Sequence, residues 1–158
     1  MTRSREIAHP RPLIWRALTE LRPYCAVCDV SYVFEPAGEE EPRGLDLGVS
    51  FTCVSGRLDG AEPPSTAPRG EITDWEEGTC FASRLELTPE SWLTRVHLQD
   101  ADNGGTVVTI TLTWHPKVGS RLVHLTQRRS LQRLLEETVE LELARVPDHV
   151  RQVGPVAD

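Results

Sequence analysis

Between Val30 and His115 apolar residues recur at every second position, and beyond Lys117 they recur at every third or fourth. Side chains alternate faces along a strand and return to one face of a helix after three or four residues. A chain with this change of period builds one sheet with an apolar face and one long helix to cover it. The clearest strand is 106–115, where Val108, Ile110, Leu112 and Trp114 face one way and Thr109, Thr111 and Thr113 the other. Val30, Tyr32 and Phe34 alternate in the same manner, as do Leu47, Val49, Phe51 and Cys53. Ile72 with Asp74, then Phe81, Ser83, Leu85 and Leu87, then Val96 and Leu98 make three further runs.

Short turn signals join these runs. Glu77-Gly78, Thr88-Pro89-Glu90-Ser91 and Asp102-Asn103-Gly104-Gly105 are hairpin sequences, and the Asn-Gly pair supplies the positive φ that a tight turn needs. Strands joined in this way are antiparallel, so the middle of the chain is a meander of about six strands. Ahead of it, Arg5 to Ala8 reads as a short strand. Pro10 to Leu21 reads as a helix, with Leu13, Ile14, Ala17, Leu18 and Leu21 at helical spacing, Pro12 in its first turn and Pro23 closing it. Residues 24–29 read as a second short helical turn. In the last third, Val118, Leu122, Leu125, Leu131, Leu134, Leu135, Thr138 and Leu141 predict an amphipathic helix of about 25 residues, stopped by Pro147. The class is α+β. With 158 residues the chain reads as one domain, with 1–4 and 148–158 as tails and 55–70 as a loop.

Charge narrows the partners. The chain has 24 acidic and 17 basic residues, a net charge of −7. Such a domain repels phosphate backbones and anionic lipid surfaces, so neither nucleic acid nor membrane insertion is expected. No run approaches the roughly 20 apolar residues of a bilayer span. Met1 to Pro12 lacks the apolar stretch of a secretory signal. The expected location is cytoplasmic, with the four cysteines reduced.

Several segments together carry a resemblance. Pro12 to Thr19 (PLIWRALT) is similar to an opening helix with a proline and a tryptophan. Leu47-Gly48-Val49-Ser50-Phe51 is similar to a glycine-marked strand. Ile72-Thr73-Asp74-Trp75 with Gly78 and Phe81, Gly104 to Thr109 (GGTVVT), and the leucine-glutamate pattern from Leu131 to Leu143 complete the set. In this order they resemble the START-related SRPBCC superfamily, in the branch labelled polyketide cyclase/dehydrase or lipid transport. The resemblance implies a helix-grip fold: a curved antiparallel sheet of about six or seven strands around a long C-terminal helix, with two short helices after strand 1. It also implies an internal cavity, and it names no single activity.

A strongly curved sheet cannot meet a straight helix everywhere, and such gaps become apolar pockets with a few polar groups. Strand parity turns Phe51, Phe81, Ser83, Val96, Leu98, Ile110, Leu112 and Trp114 toward the gap, and the helix adds Leu122, Leu125 and Leu131. Any one of these serves equally well as core packing. Trp75 and Trp92, at strand ends, read as covers for a core edge. Arg95 and His97 have the opposite parity to Val96 and Leu98, so they face solvent. The basic first half of the last helix, Arg121 to Arg133, and its acidic second half, Glu136 to Glu142, read as a solvated face.

Cys25-Ala26-Val27-Cys28 is the one local motif with chemical meaning. A redox dithiol needs a strand-to-helix context that is missing here. Zinc needs two more ligands, yet Cys53 and Cys80 come singly, and His9, His97, His115, His124 and His149 lie at no ligand spacing from a cysteine. The expectation is two small apolar residues at a helix end, with no metal and no cofactor. There is no H-E-x-x-H, no G-x-S-x-G and no phosphate-cradling loop, so no catalytic residue is assigned. The leading function is binding or carriage of a small hydrophobic molecule of lipid, polyketide or aromatic type. The alternatives are an aromatase/cyclase-type enzyme using one or two acid/base groups in the same cavity, and a protein-interaction module working through an apolar surface patch. A homodimer is compatible with all three.

Overall fold

The Glu77-Gly78 and Asp102 to Gly105 hairpins close where the sequence places them, while Glu90 and Ser91 of the third signal already pair within a strand. The computed structural model describes residues 1–35, 44–88, 90–117 and 121–154, with the side chains of 121–128 outside the description. In chain order the elements are β1 (Thr2–Ile7), α1 (Arg11–Thr19), β2 (Tyr24–Cys25), β3 (Val30–Glu35), β4 (Ser50–Ser55), β5 (Arg69–Glu76), β6 (Cys80–Glu86), β7 (Glu90–Asp100), β8 (Thr106–Pro116) and α2 (Arg121–Val153). The strands form one sheet in the order β1-β8-β7-β6-β5-β4-β3-β2, antiparallel throughout. Among the described residues no helix is long and apolar enough to cross a membrane.

Among the described residues the sheet has eight strands, because both ends of the meander gain one. Residues 2–4, part of the expected tail, belong to β1, which pairs with β8. The hydroxyls of Thr2 and Ser4 meet those of Thr111 and Thr109 at 3.0 and 2.8 Å, so the threonine ladder of β8 serves that edge. The second short helix expected over 24–29 is instead a hairpin. Tyr24 and Cys25 pair with Ser31 and Val30, and Asp29 takes the left-handed conformation (φ 54°) that turns the chain back. The Tyr24 hydroxyl donates to the Asp29 carboxylate at 2.8 Å, a local bond that competes with helix formation.

The last helix also departs from expectation. It runs through Pro147 to Val153. Proline removes the bond to the carbonyl four residues back and ordinarily ends a helix. Here Val146 and Val150, 1% and 4% exposed, are buried on either side of it. The Arg16 guanidinium donates to the carbonyl oxygens of Val153 and Gly154 at the helix end. The buried stripe is Val139, Leu143, Val146 and Val150, while Leu134 and Leu141, placed inward from the sequence, are 48% and 49% exposed.

The core lies at one side of the molecule. Ile7, Ile14, Leu98, Val108, Ile110 and the α2 stripe form a continuous buried cluster. α2 rests against α1, β1 and β8. The sheet curls away beyond β7, helped by a bulge between Ile72 and Asp74 in β5. At the near edge Trp15, Trp75 and Phe81 pack with ring centroids 4.9–6.2 Å apart. One carboxylate, Glu77, accepts both indole N–H groups, at 3.1 Å from Trp15 and 3.0 Å from Trp75. Trp75 thus covers a core edge.

Candidate functional site

Where the sheet leaves the helix, the described residues line a half-open cavity of about 490 Å³. Its floor is the concave face of β4 to β8, including Phe51, Phe81, Ser83, Val96, Ile110 and Leu112. Register puts these on one face, for Phe81 opposes Val96, Val96 opposes Ile110 and Ser83 opposes Thr94. Ile72, Leu85, Trp92 and Thr94 extend the same floor. At its far edge the Phe51 ring lies across Gly70, so close that a Cβ there would stand 2.2 Å from Phe51 Cζ. Tyr32, Phe34 and Phe51 form an aromatic wall with centroids 5.8–6.3 Å apart.

Three of the residues read toward the gap are placed differently. Leu98 is 1% exposed and belongs to the solid core one register step beyond the cavity. Trp114 shares the concave face but is outside the lining, and its indole N–H donates to Glu90, which also accepts from Trp92. Leu131 is half-buried outside the lining. The side chains of Leu122 and Leu125 fall outside the described residues. Arg95 and His97 lie on the convex face, where Arg95 pairs with Asp74 at 2.6 Å.

Sequence reasoning missed the helix side of the site. α2 contributes Thr138, Glu142, Arg145 and His149 to the lining, together with Val139 and Val146. The steps of four, three and four residues between the polar positions put them on one helix face. Of the four, the sequence places only Glu142 on a solvated face, and it counts Thr138 with the apolar positions of the helix. Glu142 and Arg145 are ion-paired at 3.0 Å. His149 sits against the β2–β3 hairpin: its Nδ1 is 3.8 Å from Cys25 Sγ and its Nε2 is 3.6 Å from Cys28 Sγ. Gln152 Oε1 accepts from Cys25 Sγ at 3.8 Å. Sequence spacing shows no histidine paired with a cysteine, because the hairpin and the helix end meet only in three dimensions.

No family model matches the chain, and no curated protein does. Solved structures do match. A protein of unknown function from Staphylococcus aureus aligns with TM-score 0.63 at 11% identity, covering 97% of this chain and 94% of that one. Norcoclaurine synthase from Thalictrum flavum, in complex with dopamine and hydroxybenzaldehyde, aligns with TM-score 0.57 at 10% identity over 97% and 84%. Ara h 8.0201 aligns with TM-score 0.53 at 13% identity over 94% and 97%. The chain has the helix-grip fold. At these identities the likeness is one of fold alone, and at that level it agrees with the START-related SRPBCC resemblance of the sequence.

Burial sets the protonation of this helix-grip cavity. Desolvation pushes the Cys28 thiol well above its ordinary value, with the Glu142 carboxylate and Cys25 adding to the shift. Tyr32 is raised for the same first reason, then by Cys28, Cys25, Cys53 and Glu142, so it stays a neutral phenol. His149 is lowered, by burial first and then by the Arg145 and Arg22 cations.

The folded value of His149 lies below 6.5, so below that pH the unfolded chain binds a proton that the native site resists. Stability is lost as pH falls from about 6.5 toward the folded value, and the loss is complete below it. Urea unfolding in chelator at about pH 7.5 and about pH 5.5 is expected to show a larger drop for the wild type than for His149→Gln. Equal drops would assign the acid sensitivity to other groups.

Proposed function

We propose that the cavity binds or carries a small hydrophobic molecule of lipid, polyketide or aromatic type. One observation carries this reading: a cavity of about 490 Å³ with an apolar floor and a short polar edge on α2. Sites for small organic molecules have this size and this mixture, with apolar surface holding the guest and a few polar groups orienting it. An apolar body would lie on Phe51, Phe81, Val96 and Leu112, with a polar end toward Glu142, Arg145 and His149. The aromatic guests held by norcoclaurine synthase on the same fold support a guest of this kind. In this reading the protein works in the reducing cytoplasm, where its cysteines stay free thiols.

The test is titration of the delipidated protein with an apolar, environment-sensitive fluorophore, alongside native mass spectrometry of freshly purified protein. A saturable one-site enhancement and displacement by fatty acids or polycyclic aromatics are expected. A linear, unsaturable signal would sink the proposal.

An aromatase/cyclase-type enzyme is the second reading, favoured by the titratable side chains Tyr32, Glu142 and His149 in the lining. A shaped pocket with one or two acid/base groups is sufficient for steering an enolate. A poly-β-ketone probe recovered with its mass reduced by water would decide for catalysis, and one recovered intact would decide for carriage. The interaction-module reading requires a filled core, and the cavity speaks against it.

A further inference from the structure

We propose that Cys25, Cys28 and His149 form a three-ligand site for a thiophilic divalent cation, zinc by its chemistry, with the fourth coordination position open to the cavity. The three ligand atoms come from two separate elements, the β2–β3 hairpin and the last turns of α2, and all lie within 4.8 Å of one another. Cys25 is buried, and Cys28 and His149 are half-buried. This is no exposed acidic cluster but a compact set of two sulfurs and one imidazole.

The spacing comes within reach of a tetrahedral ion once the imidazole turns. Bond lengths of about 2.3 Å to sulfur and about 2.0–2.1 Å to nitrogen place tetrahedral sulfur and nitrogen about 3.6 Å apart. The observed sulfur–nitrogen separations are 3.6 and 3.8 Å. As hydrogen bonds these contacts are weak, since thiols are poor donors and acceptors. The two sulfurs approach different ring nitrogens, so loading turns the imidazole until one nitrogen faces both. The two-residue gap of Cys25-x-x-Cys28, held in a turn by left-handed Asp29, is the usual half-site of a zinc centre.

Charge favours the same occupant. Loading releases two thiol protons to solvent, and two thiolates then neutralise the cation, so a half-buried site gains no net charge. Soft sulfur selects zinc over magnesium or calcium, which prefer oxygen. All three residues line the cavity. Three protein ligands with an open fourth position is the pattern of a reactive zinc rather than a structural one. A guest bearing a carboxylate, phenolate or carbonyl oxygen would take that position. This last step rests on the guest-binding reading, whereas the metal site does not.

The experiment uses untagged, full-length, reduced and chelator-stripped protein, titrated with cobalt(II) and then with zinc(II) in the absence of any guest. We expect one cobalt per chain, with thiolate-to-cobalt charge-transfer bands and tetrahedral d–d bands that one equivalent of zinc abolishes. His149→Ala and Cys28→Ser should each weaken binding at least about a hundredfold, while Cys80→Ser leaves it unchanged. Circular dichroism checks that each variant folds. If a variant unfolds, alkylation of the wild type decides instead: zinc should slow the alkylation of half-buried Cys28 and leave that of half-buried Cys53 unchanged. Absent bands, bands that survive in His149→Ala, or protection of other cysteines would overturn the site. Fluorophore binding measured in chelator reports on the guest separately, so the two readings fail independently.

Discussion

Truncating Leu143 to alanine is expected to lower the unfolding free energy by about 2–5 kcal/mol, and truncating Leu141 by less than about 0.5 kcal/mol. The two leucines are on the same helix, and leucine and alanine differ little in helix propensity, so local structure is not at issue. What differs is phase. Leu143 is 1% exposed and packs in the cluster with Val139, Val146 and Val150, so its loss leaves a cavity that the fixed sheet cannot fill. Leu141 is 49% exposed and loses little contact. For a chain of this length the Leu143 variant should melt about 4–20 °C lower. Thermal and urea unfolding read both variants directly. Similar losses at the two positions would mean that α2 meets the sheet through the face the sequence indicated, and the buried stripe described here would be wrong.

That contrast shows how far the sequence could be read. Strand parity worked because a strand has two faces and a sheet buried on one side allows no slip. Val108, Ile110 and Leu112 could therefore be placed correctly from spacing alone. A helix offers a continuum of faces, and the leucines of α2 surround it on more than one side. Following Leu134 and Leu141 points to an exposed stripe and passes over the valines at 139, 146 and 150 that meet the core. Pro147 misled for a related reason. Its local penalty is real, and the burial of Val146 and Val150 on either side of it offsets that penalty.

The site was half legible. Its floor is made by strands and follows from alternation, so Phe51, Phe81, Ser83, Val96, Ile110 and Leu112 could be named. Its roof depends on where α2 ends and how it turns, and so Glu142, Arg145 and His149 escaped. The contact between His149 and the Cys25-x-x-Cys28 turn spans 121 and 124 residues of sequence. No local spacing rule reaches that far. A hint was present in the 138, 142, 145, 149 periodicity, which marks one polar face on a helix that must also cover a cavity.

Replacing Ser83 with phenylalanine is expected to weaken guest binding about 30- to 70-fold while leaving the protein folded. Ser83 lies mid-floor on β6, flanked across the sheet by Ile72 and Thr94, and it faces open space rather than packed neighbours. A phenyl ring there displaces the volume of several guest carbons. At about 0.8 kcal/mol for each buried methylene, losing about three of them costs roughly 2–2.5 kcal/mol, which corresponds to that fold-change. The same ring buries apolar surface in a gap, so the overpacking penalty of a filled core does not apply and the melting temperature should hold or rise. Fluorophore titration and thermal unfolding of the same preparation separate the two effects. Full-strength binding by the variant would place the guest elsewhere. A collapse in melting temperature would show that the space between β6 and α2 is too small to hold even one ring, and no guest of useful size could then enter.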